Sequence, residues 1–69
     1  MSALRAIVNG TPVDLAEGTT VADVVRLRCV SDRGVAVALD RNVVPRSLWS
    51  STVVTAGQHL EIVSAAAGG

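Results

Sequence analysis

Aromatic residues are nearly missing from this chain: Trp49 stands alone, with no phenylalanine and no tyrosine in 69 residues. Any core must therefore be filled by valine, leucine, isoleucine and alanine, which are small and mostly stiff side chains. Sulfur is equally scarce. A lone cysteine, Cys29, cannot form an internal disulfide and fits a reducing compartment. One cysteine and one histidine, His59, at no recognised spacing make no metal set. An excess of either charge is missing too, because six basic and six acidic residues cancel along the chain. Without a basic stripe, nucleic-acid binding is not expected. No apolar run approaches the ~20 residues of a membrane span, and Met1-Ser2-Ala3-Leu4-Arg5 lacks the continuous apolar segment of a signal peptide. These absences point to a cytoplasmic protein with no membrane partner.

What remains is a chain that is 49% hydrophobic and long enough for one domain. A body of this size buries only about 60% of its unfolded surface, so its stability margin is small.

Leu4 to Val8 is a short apolar stretch that runs into Asn9-Gly10, a dipeptide suited to a type I′ turn, and then into Thr11-Pro12-Val13-Asp14-Leu15. This pattern predicts an opening hairpin, and Pro12, which has no amide hydrogen, places its second strand at a sheet edge. Glu17-Gly18 breaks the strand. Thr20 with Asp23 resembles a capping box opening a helix through about Arg28, with Val21, Val24 and Val25 as its buried stripe. Three valines are poor helix formers, so packing must hold this helix.

After Ser31-Asp32-Arg33-Gly34, the alternation in Val35-Ala36-Val37-Ala38-Leu39 predicts a central strand with only alanines on its second face. Asp40-Arg41-Asn42 is expected to turn into a brief Val43-Val44 strand that Pro45 stops. Ser47 to Thr52 reads as an irregular or single-turn helical crossing. A last strand is expected from about Gln58 to Ser64, with Leu60 and Ile62 facing the core and His59, Glu61 and Val63 facing away.

This order suggests an α+β domain over residues 1–64, a mixed sheet with one helix across one face. One helix leaves the other face open. Ile7 and Val63 fall on that face, and if the first and last strands are neighbours they would form a small apolar patch leading to the chain end.

That end, Ala65-Ala66-Ala67-Gly68-Gly69, has no large side chain and no charge except its terminus. Extended, five residues reach about 16 Å at ~3.3 Å each, enough to enter another protein's active site. Two glycines let the tip thread a channel where any Cβ would collide. The terminal carboxylate, with a reference pKa of about 3.3–3.7, is ionised and can attack the α-phosphate of ATP. The resulting anhydride is a good electrophile. A sulfur donor would convert it to a thiocarboxylate, and a thiol or amine to a thioester or amide. A terminal glycine pair arises by chance roughly once in 200 chains at ~7% glycine, so its weight comes from the grasp-like pattern that stops just before it.

Other candidates carry less. His59 and Glu61 are two residues apart on one strand face, a spacing usable for acid–base work, but no activated nucleophile or third group accompanies them. Cys29 lies among Arg26, Arg28 and Arg33, which could lower its pKa, although a packed or incidental thiol explains it more simply. Pro45-Arg46-Ser47 with Trp49 suits either a docking surface or, preferably, a cap on an aromatic-poor core.

Taken together, Val8-Asn9-Gly10, Glu17-Gly18-Thr19-Thr20-Val21-Ala22-Asp23, Gly34-Val35-Ala36-Val37-Ala38, Val43-Val44-Pro45-Arg46-Ser47 with Trp49, Glu61-Ile62-Val63 and Gly68-Gly69 resemble the ThiS family of sulfur carriers. The resemblance covers nearly the whole chain. It departs at Asp40, where the family often has Asn, at Gly57-Gln58, where it often has Gly-Asp, and at Ala66-Ala67, where it often has Val-Gln. The resemblance implies a ubiquitin-like β-grasp fold with a flexible tail at 65–69 and no catalysis by the chain itself. Gly69 would be adenylated by an E1-like enzyme that uses ATP, then converted to a thiocarboxylate. The sulfur would come from a donor such as a cysteine desulfurase or related protein and be delivered to thiazole synthase. No bound cofactor is implied. The small subunit of molybdopterin synthase, a ubiquitin-like modifier and a plain interaction module remain as alternatives.

Overall fold

The computed structural model describes residues 3–28 and 33–64. Strands β1 (Ala3–Val8) and β2 (Thr11–Ala16) pair antiparallel, with Val8 opposite Thr11 across the Asn9-Gly10 turn. Both turn residues take positive φ, 50° and 82°, which a type I′ turn requires and which matches the twist of the strands it joins. Alternation then sends Ala6, Val8 and Leu15 inward, and Arg5, Ile7, Pro12 and Asp14 to the opposite face.

Helix α1 (Val21–Arg28) starts at the expected capping box. The Asp23 N–H donates to Thr20 Oγ1 at 3.2 Å, and the Thr20 N–H donates to Asp23 Oδ2 at 3.0 Å, so two amides without intrahelical acceptors are satisfied reciprocally. Its face of Val21, Val24 and Val25 is buried. The helix start is also tied down by main-chain bonds from Val21 N to Thr52 O and from Val54 N to Thr19 O, both 2.9 Å. Packing and these ties compensate for the weak helix propensity of valine.

β3 (Val35–Leu39) and β4 (Asn42–Val43) form a second hairpin. Its turn needs only Asp40 and Arg41, at φ 49° and 73°, so β4 starts one residue earlier than the expected Val43-Val44 strand. Val44 still donates to Val37 O at 2.9 Å before Pro45 ends the pairing. A 3₁₀ helix (Arg46–Ser51) follows and swings Trp49 into the core. The indole Nε1 donates to Val44 O at 2.8 Å, and the Arg46 guanidinium lies 6.0 Å from the ring centroid. Trp49 therefore has the capping role the sequence favoured.

β5 (His59–Ser64) completes a five-stranded sheet ordered β2-β1-β5-β3-β4. Its pairing with β1 is parallel and every other pairing is antiparallel. β2, which carries Pro12, is an edge strand as expected, and β5 is the centre. The core lies between the sheet and the layer of α1 and the 3₁₀ helix, with Leu60, Val8, Val21, Val24, Val37 and Val54 fully enclosed. This is the β-grasp architecture that the resemblance implies. Among the described residues no helix is long and apolar enough to cross a membrane.

Candidate functional site

The expected reactive end, Ala65, Ala66, Ala67, Gly68 and Gly69, lies outside the described residues, as does Cys29. What the structure does describe is the platform from which that end departs. Ser64, the last described residue, sits opposite Val35 at the end of the central strand. β5 is anchored by Leu60 and Ile62, 1% and 9% exposed, and flanked by hydrogen-bonded strands on both sides.

The β1 side of that ladder would end early, because β1 turns away at Asn9 while β5 continues. The Asn9 side chain fills the gap. Asn9 N donates to Leu60 O at 2.9 Å as the last main-chain bond. One step on, the carboxamide takes over as a surrogate peptide: its Oδ1 accepts from Ile62 N at 2.8 Å and its Nδ2 donates to Ile62 O at 3.2 Å. Asn9 can stand with φ at 50° because its short polar side chain tolerates the left-handed region. Sequence reasoning assigned Asn9 to the turn alone. Its partner lies 53 positions away, and only the parallel β1–β5 pairing brings the two together.

Among the described residues no helix covers the sheet face away from α1, and the strands that carry Ile7 and Val63 are neighbours. The register nevertheless separates these two residues. Ile7, partly buried, stands opposite His59, whereas Val63 is four residues further along β5, about 13 Å at ~3.3 Å per residue. Val63 instead pairs with Ala36 and is 62% exposed. Glu61, which pairs with Ala38, stands between the two. Beyond Ala38 on the same face, Val43 of β4 is 76% exposed. The apolar part of the face nearest the departing chain is thus Val63, Ala36, Ala38 and Val43, with Ile7 and Pro12 forming a second row.

An open cleft of about 520 Å³ is lined by Gly10, Asp40, Arg41, His59, Leu60 and Glu61, from the two hairpin turns and the start of β5. His59 and Glu61 share it, and among the described residues no serine, threonine or cysteine joins them in its lining. Asp40 is committed to structure. Its Oδ1 accepts from His59 N at 2.9 Å and its Oδ2 from Gln58 Nε2 at 3.3 Å. At the far edge Arg5 Nε donates to Asp14 Oδ1 at 3.0 Å, a bond that raises the pKa of Arg5 above its already high value. Both side chains are about two-thirds exposed, so this pair adds little to stability. Among the described residues, no three of His, Cys, Asp or Glu gather into a metal-binding group.

Comparison with known proteins bears on this arrangement. The model of the ThiS family matches residues 3–69. A solved structure described as the thiamine biosynthesis protein (ThiS) from Geobacter metallireducens superposes with a TM-score of 0.78 at 26% identity, covering 88% of this chain and 93% of that one. No curated protein matches the chain.

Proposed function

Because the chain belongs to the ThiS family, we propose that it is a cytoplasmic sulfur carrier of thiamine biosynthesis and a protein cosubstrate, not itself an enzyme. In this reading the Gly69 carboxylate attacks the α-phosphorus of ATP in the site of an E1-like activating enzyme, and pyrophosphate leaves. A persulfide supplied by a cysteine desulfurase or related donor then displaces AMP from the acyl adenylate, and a second thiol cleaves the S–S bond of the acyl disulfide, leaving as a disulfide with the donor's sulfur. The thiocarboxylate so formed is the sulfur source for thiazole synthase. Ala65, Ala66, Ala67 and Gly68 are the slender segment that lies in the partner's channel, and Ile7 and Val63 belong to the surface against which partners seat.

The observation that carries this reading is the family match, which spans residues 3–69. The fold supports it, since the last strand is the central one and its last described residue, Ser64, follows the exposed Val63, which pairs with Ala36. The chemistry supports it as well: a carboxylate is unreactive toward nucleophiles until adenylated, and a side-chain-free terminus suits a narrow channel.

The test is the intact mass of the chain after incubation with activating enzyme, ATP and a sulfur donor. Replacement of one terminal oxygen by sulfur is expected, and it should vanish when Gly69 is deleted. Attachment to lysines of other proteins would instead identify a modifier, and an unchanged mass with a competent activating enzyme would leave an interaction module. Thiazole formation undiminished by loss of Gly69 would overturn the proposal.

A further inference from the structure

Asn9 is followed by Gly10, and that pair combines two properties that pull in opposite directions. Glycine has no Cβ to keep its amide nitrogen away from a preceding asparagine side chain, and the space around Gly10 is open, with nothing within 4 Å of where a Cβ would stand. The turn is also exposed to water. Chemically this is the most labile setting an asparagine can have. Against it, the same carboxamide is held by both of its polar atoms on the main chain of Ile62. While Oδ1 and Nδ2 are so engaged, the carboxamide is not free to turn about its side-chain bonds toward an attack geometry.

We propose that Asn9 is a deamidation site gated by its own latch on Ile62, and that its conversion permanently releases β5 from the end of β1. The reaction needs no oxidant or cofactor. The Gly10 nitrogen, losing its proton to base, attacks Asn9 Cγ, an N–Cγ bond forms, and the Cγ–Nδ2 bond breaks as ammonia leaves. Water then opens the succinimide to aspartate or isoaspartate. In either product the Nδ2 donor is gone, so Ile62 O loses its partner. An aspartate places a carboxylate oxygen next to that carbonyl, and an isoaspartate adds a methylene to the turn and shifts its register.

The chain supplies its own control, because its other asparagine, Asn42, precedes the bulky Val43. The full chain is incubated at mildly alkaline pH, folded or in urea, and mapped by mass spectrometry, and native hydrogen exchange is then read on the separated converted and unconverted forms. Asn9 is expected to convert while Asn42 does not, on the order of tenfold faster in urea than in the folded chain. Exchange of the Ile62 amide is expected to rise on the order of tenfold in the converted form, while the Val37 amide stays protected. The variant Asn9→Asp separates the charge effect from the isoaspartate and should reproduce the Ile62 change. Equal conversion at Asn9 and Asn42, equal rates in folded and unfolded chain, or an Ile62 amide unmoved by conversion would each overturn the proposal.

Discussion

Asp40 and His59 grip each other by their main chains and one carboxylate: Asp40 N donates to His59 O at 2.8 Å, and His59 N donates to Asp40 Oδ1 at 2.9 Å. Because Asp40 sits in the β3–β4 turn and His59 begins β5, this reciprocal pair fixes where the central strand starts. Asp40→Asn keeps an acceptor in place and should leave stability nearly unchanged. Asp40→Ala removes it, along with the acceptor for Gln58, and should cost about 1–2 kcal/mol at roughly 1 kcal/mol per hydrogen bond. Urea melts of the two variants test the difference.

Arg41 occupies φ 73°, a region that disfavours any side chain with a Cβ. Arg41→Gly creates the Asp-Gly pair that type I′ turns prefer. It should stabilise the fold by about 0.5–1 kcal/mol after the entropic cost of glycine, a rise in Tm of roughly 2–8 °C for a domain this small. A lower Tm would show that the arginine makes a compensating contact.

The capping box predicts a pH dependence. Asp23 has its carboxyl held below the ordinary ~3.9, first by the Thr20 amide hydrogen bond, then by the Thr20 side chain, with Arg26 a smaller influence. A depressed folded pKa means the ionised form is favoured by folding. Its contribution is therefore present above pH ~4 and lost as pH falls through the folded value. Thermal melts between neutral pH and strong acid should show this loss, and Asp23→Asn, which cannot ionise, should flatten that part of the curve. Thr20→Ala should cost about 1 kcal/mol at neutral pH.

Trp49 is 5% exposed and is the chain's sole aromatic residue, so its fluorescence reports on the core without interference. Trp49→Phe leaves Val44 O without its donor and should destabilise by about 1–3 kcal/mol. Trp49→Ala, at about 3–5 kcal/mol, should unfold much of the population at 37 °C. Circular dichroism in urea measures both.

Val63→Asp tests the proposed partner surface. With Val63 exposed beside Ala36, the change should leave Tm within about 3 °C, as surface substitutions do. It should also weaken binding to the activating enzyme on the order of tenfold or more, read by titration calorimetry. Unaltered affinity would move the docking surface elsewhere.

Elements governed by neighbouring residues were legible in the sequence: the Asn9-Gly10 turn, the Thr20–Asp23 cap, the valine stripe of α1 and the alternation of β3. The Asp40-Arg41 turn was expected only loosely, because its left-handed positions carry no glycine. The link between Asn9 and Ile62 and the offset of Val63 from Ile7 depend on how β5 registers against β1. That pairing joins segments some fifty positions apart, and no local pattern encodes it. Alternation correctly assigned Ile7 and Val63 to one face but cannot give the distance between them along it.

The placement of β5 also has a mechanical side. A force drawing on its C-terminal end acts along the strand axis, at right angles to the antiparallel bonds to β3 and obliquely to the parallel ones to β1. Those bonds are strained together in shear, whereas a strand peeled from an edge breaks them one after another. A central last strand therefore resists a pull along its axis more than an edge strand would.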